Sequence, residues 1–329
     1  QILAIYMSES GMIEQLIDSI RRLLSAKVAL AILPAIMGSL PMPGGALLSA
    51  PMIEDTASRL GLDGDEKSFI NVWFRHWNFF VYPLSSAIIL ASTLSGVSLH
   101  KLIAVQIPVL ILYVGVGYIV SLRRIASLKG DSIDRRSGEL IRRILLNISP
   151  IAVAVILTII GLNMVLALIL AITYTMLITR MGFEKAWRAF KKVDLSLPLA
   201  IPGVMVFRYT LNRSGLIEVA LPYLSSTYLP PVAIALVVAW IVGLATAMPS
   251  AGIALVIPIA SAIIGDMSTS IASSVYISII FSYLISPLHL CLVLTVGYYR
   301  SKIHSVYKKL IPSAVMTYIL SLVILSLIY

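Results

Sequence analysis

Charge is what this 329-residue chain has least of: 12% of its residues are Asp, Glu, Lys or Arg, against 59% hydrophobic, and its mean hydropathy is +0.97. That composition excludes a water-soluble enzyme, whose surface carries about twice as many charges. Cysteine is almost absent. The single Cys291 sits in an apolar run, so no intramolecular disulfide can form and nothing suggests a catalytic thiol. Acidic residues are also few, 15 against 25 basic ones, which leaves a net charge of +10. In a soluble chain that excess would raise nucleic-acid binding. Here most of the cations fall in four short segments, 20–27, 123–143, 180–192 and 300–309, each beside an apolar stretch. The positive-inside rule puts all four in the cytoplasm and accounts for the basic balance without a polyanion, so nucleic acid is not expected as a partner. Missing too are HExxH, a Walker A loop and a GxSxG elbow, and no enzyme activity is expected. The chain opens at Gln1 with no basic segment leading to a small-residue cleavage site, so no signal peptide is read.

What is present is length of apolar sequence, enough for about ten spanning or half-spanning segments of about 20 residues each. The expectation is a multi-pass protein of the cytoplasmic (inner) membrane, with the lipid bilayer as its first partner. The opening of the chain recurs about 205 positions later. SGMIE at 10–14 matches SGLIE at 214–218, Gly38 matches Gly243, and MPGGALLSAPMI at 42–53 matches MPSAGIALVIPI at 248–259. YPL at 82–84 then matches SPL at 286–288, and QIP at 106–108 matches LIP at 310–312. Between the copies, 144–160 and 164–179 read as a helical hairpin turning at Gly161 and Asn163. No such pair precedes the first copy, so N-terminal helices are expected to be missing from this chain.

Charge sets the orientation of the copies. The loop 94–101 carries only Lys101, whereas its counterpart at 298–309 carries four cations. The two loops therefore face opposite sides, and the repeats are inverted, an architecture of secondary transporters. The expected organisation is a first repeat over 1–122 with a re-entrant hairpin at 26–57, a cytoplasmic basic linker over 123–143, and a second repeat over 144–329 with a re-entrant hairpin at 229–264. The arms of each hairpin are too short to span, and Pro and Gly lie between them. The central hairpin 144–179, with helices 102–122 and 309–329, is expected to form a scaffold.

Non-helical backbone at membrane depth is tolerated only inside protein or beside a water-filled cavity, which makes the two tips candidate site walls. Substrate contacts are read at Pro43, Gly44, Gly45 and Ala46 in the first tip and at Pro249, Ser250, Ala251 and Gly252 in the second. The returning arms start there with their positive ends forward, a field that suits an anion. Carbonyls ending the entering arms, with the hydroxyls of Ser39 and Thr246, are candidate ligands for Na⁺. Pro and Gly also kink transmembrane helices with no chemical meaning, and it is the matched pair of tips that favours a site. Pro83 and Pro287 interrupt the following helices at matched positions, with Ser85 and His289 close by. His289 is read either as a substrate or proton-relay group or as an interhelical hydrogen bond. Arg75 and Asn78 open the first of those helices, where the second copy has Ile279 and Ser282. Arg75 is read as snorkelling to the interface or clamping an anion, with Trp73 and Trp77 favouring the interface. Glu14 and Glu218 are candidate proton carriers, or solvated charges at an interface.

PMPGGALLSAPMI and AMPSAGIALVIPIA resemble the hairpin tips of the ion transporter superfamily, which holds the divalent-anion/sodium symporters and the gluconate and citrate permeases. The likeness is to an uncharacterised prokaryotic integral-membrane family of that group and covers nearly the whole chain. Both tips depart from the Ser-Asn-Thr signature of the dicarboxylate members, having Met42-Pro43-Gly44 and Met248-Pro249-Ser250. The resemblance implies an all-α polytopic membrane protein with inverted repeats, two opposed re-entrant hairpins and elevator-type transporter architecture, assembled as a homodimer. The expected function is secondary transport of a small organic anion, coupled to Na⁺ or H⁺. No cofactor or resident metal is expected beyond Na⁺ as candidate coupling ion. The alternatives are an intramembrane hydrolase and a non-transporting membrane scaffold.

Overall fold

A computed structural model describes the chain except for residues 1, 41–44, 126–136, 193–205, 207–208, 211–212, 215–228 and 329. Among the described residues every regular element is helical. Four stretches, Gly64–Ser95, Leu99–Leu122, Gly138–Ile159 and Ile303–Leu327, are long and apolar enough to cross a membrane. Apolar side chains remain uncovered along them and their neighbours, with Leu177 72% and Leu327 79% exposed. Apolar surface of that extent suits lipid rather than water. The protein is an all-α membrane protein.

The helices divide into two compact units, each discontinuous in sequence. The first holds Gln1–His76, Ser121–Asp194 and Leu294–Ser301. Its opening helices are α1 (Ile2–Glu9) and α2 (Met12–Leu23), separated by Gly11 at φ 77°. In α2 Met12, Ile13, Leu16, Ile17 and Ile20 are buried while Glu14 and Asp18 are exposed, the spacing of an amphipathic helix. A hairpin follows, α3 (Ala26–Ser39) and α4 (Gly45–Arg59), packed along α5 (Gly64–Arg75). The turn out of α4 is closed by Gly61 at φ 72° and a bond from Leu62 N–H to Ala57 O. Asp63 then caps α5 by accepting from Glu66 N–H at 2.8 Å. The helices α9 (Ser137–Ile159) and α10 (Met164–Thr179) form the central hairpin, turning at Gly161 with φ 94° and capped by Asn163, and α11 (Phe183–Phe190) packs on α1.

The second unit holds Trp77–Val120, Leu195–Val293 and Lys302–Tyr329. After α5 the chain makes one turn, α6 (Asn78–Val81), and resumes as α7 (Ser86–Ser95) and α8 (Leu99–Gly117). Pro83 explains the break between them, because it has no N–H and cannot continue the helix. A second hairpin, α12 (Pro231–Thr246) and α13 (Pro249–Ile264), packs along α14 (Thr269–Leu284). Pro287 separates α14 from α15 (Leu290–Tyr298), whose last residues belong to the first unit. The final helix is α16 (Ile303–Ile328). Phe80, Tyr113, Phe281 and Tyr318, from α6, α8, α14 and α16, join as aromatic neighbours with centroids 4.8 to 6.2 Å apart.

Two features differ from the sequence reading. Helix α9 begins at Ser137, inside the expected linker 123–143, and an exposed Glu139–Arg143 pair one turn apart supports that start. Charge marks water-facing sequence, and a helix can be water-facing. The central hairpin also packs with α1 and α2 in the first unit, whereas α8 and α16 pack on one another in the second, so the compact units do not follow the expected scaffold.

Candidate anion site at the first helical hairpin

Gly38 is where α3 meets α5. A Cβ there would lie 1.8 Å from the carbonyl oxygen of Arg75, so only glycine permits this backbone approach. The contact fixes the end of α5 against the hairpin and delivers the Arg75 side chain to the start of α4. Arg75 is 6% exposed, its Nη1 donating to Gly45 O at 2.9 Å and to Ser49 Oγ at 3.4 Å. A Cβ on Gly45 would meet Nη2 at 2.3 Å, so a larger residue here would displace the guanidinium from its place. Among the described residues no carboxylate lies within ion-pair distance of Arg75.

One turn earlier on the same face of α5, Asn71 is fully buried. Its Nδ2 donates to Thr295 Oγ1 at 3.0 Å and to Ala46 O at 3.5 Å. Its Oδ1 is buried and has no hydrogen-bond partner among the described residues. Ser49, also fully buried, donates to Ala46 O at 3.2 Å, leaving its lone pairs toward Arg75. The first turn of α4 is therefore lined by a guanidinium, an amide and a hydroxyl. Backbone N–H groups at the start of a helix lack intrahelical partners and carry partial positive charge. Arg75 adds a full charge to the same place, and an anion satisfies both.

Two turns before Arg75 the chemistry is closed. Lys67 is bound to Glu54 Oε1 at 2.8 Å and to Ser58 Oγ at 2.7 Å. The bond from Lys67 holds the Glu54 carboxyl below its ordinary 4.5, against a smaller opposing effect of burial. Tyr299 donates to Ala50 O at 2.6 Å, and Ser68 and Ser301 hydroxyls lie 2.8 Å apart. Burial, with the Glu54 charge second, pushes the Tyr299 hydroxyl above its usual range, so it remains a donor. These contacts tie α4 and α5 to the segment after α15 and pair Lys67, the other buried cation of α5, with a carboxylate.

The second hairpin has the same frame without the charge. A Cβ on Gly243 would lie 2.2 Å from Ser282 Oγ and 2.8 Å from Ile279 O, and one on Gly252 would lie 2.7 Å from Ile279 Cγ2. Ile279 is fully buried. Ser286 donates to Leu244 O at 2.6 Å, tying the break after α14 to the hairpin. The turn itself is strained, with Ala247 at φ 47° and Thr246 Oγ1 3.5 Å from Met248 O.

The sequence-derived candidates distribute as follows. Gly45, Ala46 and Arg75 meet at the first hairpin; Pro43 and Gly44 lie outside the described residues. Trp73, at 0% exposed, and Arg75 are both buried inside the first unit. Ser39 is buried beside Gly38 with its hydroxyl donating to Ala35 O at 3.2 Å. In the second unit Pro249 and Gly252 are buried, while Thr246, Ser250 and Ala251 are half-buried at the tip. Ser85 is buried at the start of α7 and Asn78 is half-buried on α6. His289 is fully buried, its Nδ1 3.2 Å from Leu284 O and its ring 4.2 Å from that of Tyr283. Glu14 is exposed on α2, away from the buried face of that helix, and Glu218 lies outside the described residues. Sequence reasoning missed Asn71, Ser49 and Thr295. A buried Asn one turn before Arg75 on one helical face was the available signal for the first of these.

A profile described as "Protein of unknown function (DUF401)" matches residues 1–328. The chain belongs to the DUF401 family. No curated protein matches this DUF401 chain.

Proposed function

We propose that this DUF401 protein is a secondary carrier for a small organic anion, and that the first hairpin holds the anion's charge. The observation that carries the reading is Arg75: a buried guanidinium with no carboxylate partner among the described residues, set against the first turn of α4. A charge at membrane depth is costly and persists where a ligand or pathway uses it. Two further features support the reading. Each of two hairpins meets a following helix through a glycine, and a proline interrupts the helical path beyond each, Pro83 and Pro287, as in matched halves of a transporter. The sequence charge pattern sets those halves in opposite directions, which suits alternating access of the elevator type. Coupling to Na⁺ or H⁺ supplies the energy, and His289 is the buried, described member of the three protonatable candidates.

The test is uptake of radiolabelled organic anions into proteoliposomes under an imposed Na⁺ or H⁺ gradient. Wild-type protein should give saturable uptake that collapses with the gradient. Arg75→Gln should lower uptake at least a hundredfold, and Arg75→Lys should restore part of it, since a point charge replaces a planar fork. Uptake that Arg75→Gln leaves intact would overturn the reading. Product formation from the anion without a gradient would favour an intramembrane enzyme instead.

A further inference from the structure

The first hairpin also specifies what accompanies the charge. Asn71 and Arg75, one turn apart on α5, reach successive carbonyls of one helical turn, Ala46 and Gly45. The Ala46 carbonyl can only accept, which fixes Nδ2 toward it and turns Oδ1 away. That oxygen is fully buried and lacks a donor among the described residues, an arrangement that is costly unless a ligand or water supplies one. Lys67, the other cation on the buried face of α5, is engaged by Glu54, so one positive charge is available here.

Building on the carrier reading above, we propose that Asn71 is a specificity-determining residue that accepts a hydrogen bond from a hydroxyl beside the carboxylate, making the ligand a small 2-hydroxy monocarboxylate. The carboxylate lies on Arg75 and the α4 N-terminus. The hydroxyl on the adjacent carbon donates to Asn71 Oδ1. A carboxylate lacking the hydroxyl leaves that buried acceptor unsatisfied, and sites of this kind discriminate strongly against the deoxy analogue.

Matched pairs test it: lactate against propionate, and glycolate against acetate, titrated by calorimetry onto the full chain in detergent. The hydroxylated member of each pair should bind at least tenfold tighter. Asn71→Leu should bring the ratio close to one, and Arg75→Gln should weaken both members. Equal binding of lactate and propionate to wild-type protein, with both weakened by Arg75→Gln, overturns the role of Asn71 and leaves the carrier reading standing. Binding that Arg75→Gln leaves unchanged overturns both. The wild-type ratio needs no variant, so a misfolded Asn71→Leu does not blunt the test.

Discussion

Replacing Gly38 by alanine tests whether the hairpin and α5 meet as tightly as the structure has them. The added carbon would sit 1.8 Å from Arg75 O and 2.8 Å from the carbonyl carbon. An ordinary carbon–oxygen approach is about 3.3 Å, so α3 must retreat from α5 by about 1.5 Å. The obstacle is backbone, which has no rotamer to relieve it. Overpacking of a well-packed interior costs about 1–3 kcal/mol, and a main-chain clash belongs at or above the upper end. Helix propensity returns about 1 kcal/mol when glycine becomes alanine, leaving a net loss of about 2 kcal/mol or more. Gly115, in α8, provides the control: a Cβ there meets nothing within 4 Å. Gly115→Ala should therefore be neutral or stabilising by up to about 1 kcal/mol. Both variants are compared by denaturant titration in one detergent, read by tryptophan fluorescence. The retreat also draws Arg75 from Gly45, so Gly38→Ala should weaken anion binding where Gly115→Ala does not. Equal stability of the two variants would refute the packing argument.

Other expectations follow from single contacts. Ala247→Gly should stabilise the protein by about 1 kcal/mol in thermal unfolding, because a left-handed alanine is strained and glycine is not. Ser286→Ala should cost about 1 kcal/mol through loss of the bond to Leu244 O, and should shorten the protease resistance of the second hairpin. Glu54 titrates lower in the folded protein than its ordinary 4.5, so its bond to Lys67 stabilises the fold above that pH and is lost as pH falls through the folded value. Melting temperature should therefore drop between pH 5 and pH 3 more steeply in wild type than in Glu54→Gln, and parallel curves would remove the ion pair from the account.

How far the chain was legible depended on whether a feature repeats locally. Both hairpins were readable because Pro and Gly interrupt apolar runs too short to span, and α3–α4 and α12–α13 lie within two residues of the expected limits. The breaks at Pro83 and Pro287 were readable for the same local reason, a missing N–H. The burial of Arg75 was not. Two neighbouring tryptophans suggest an interface by composition, yet Trp73 stacks on Phe69 with centroids 5.3 Å apart inside the first unit, and Arg75 follows it inward. Which face of α5 meets which turn of α4 depends on the helix register at Gly38, and periodicity alone carries no such information.

By itself, then, the sequence determined the solvent, the helical class and the places where helices stop, because hydropathy and backbone chemistry act residue by residue. The tertiary structure decided partnership: that Asn71, Arg75, Ser49 and Thr295, 246 positions apart at the extremes of Ser49 and Thr295, surround one helical turn. It also gave the first hairpin a buried cation where the second has Ile279. Such groupings arise from packing between segments distant in the chain, and only the folded backbone brings those segments together.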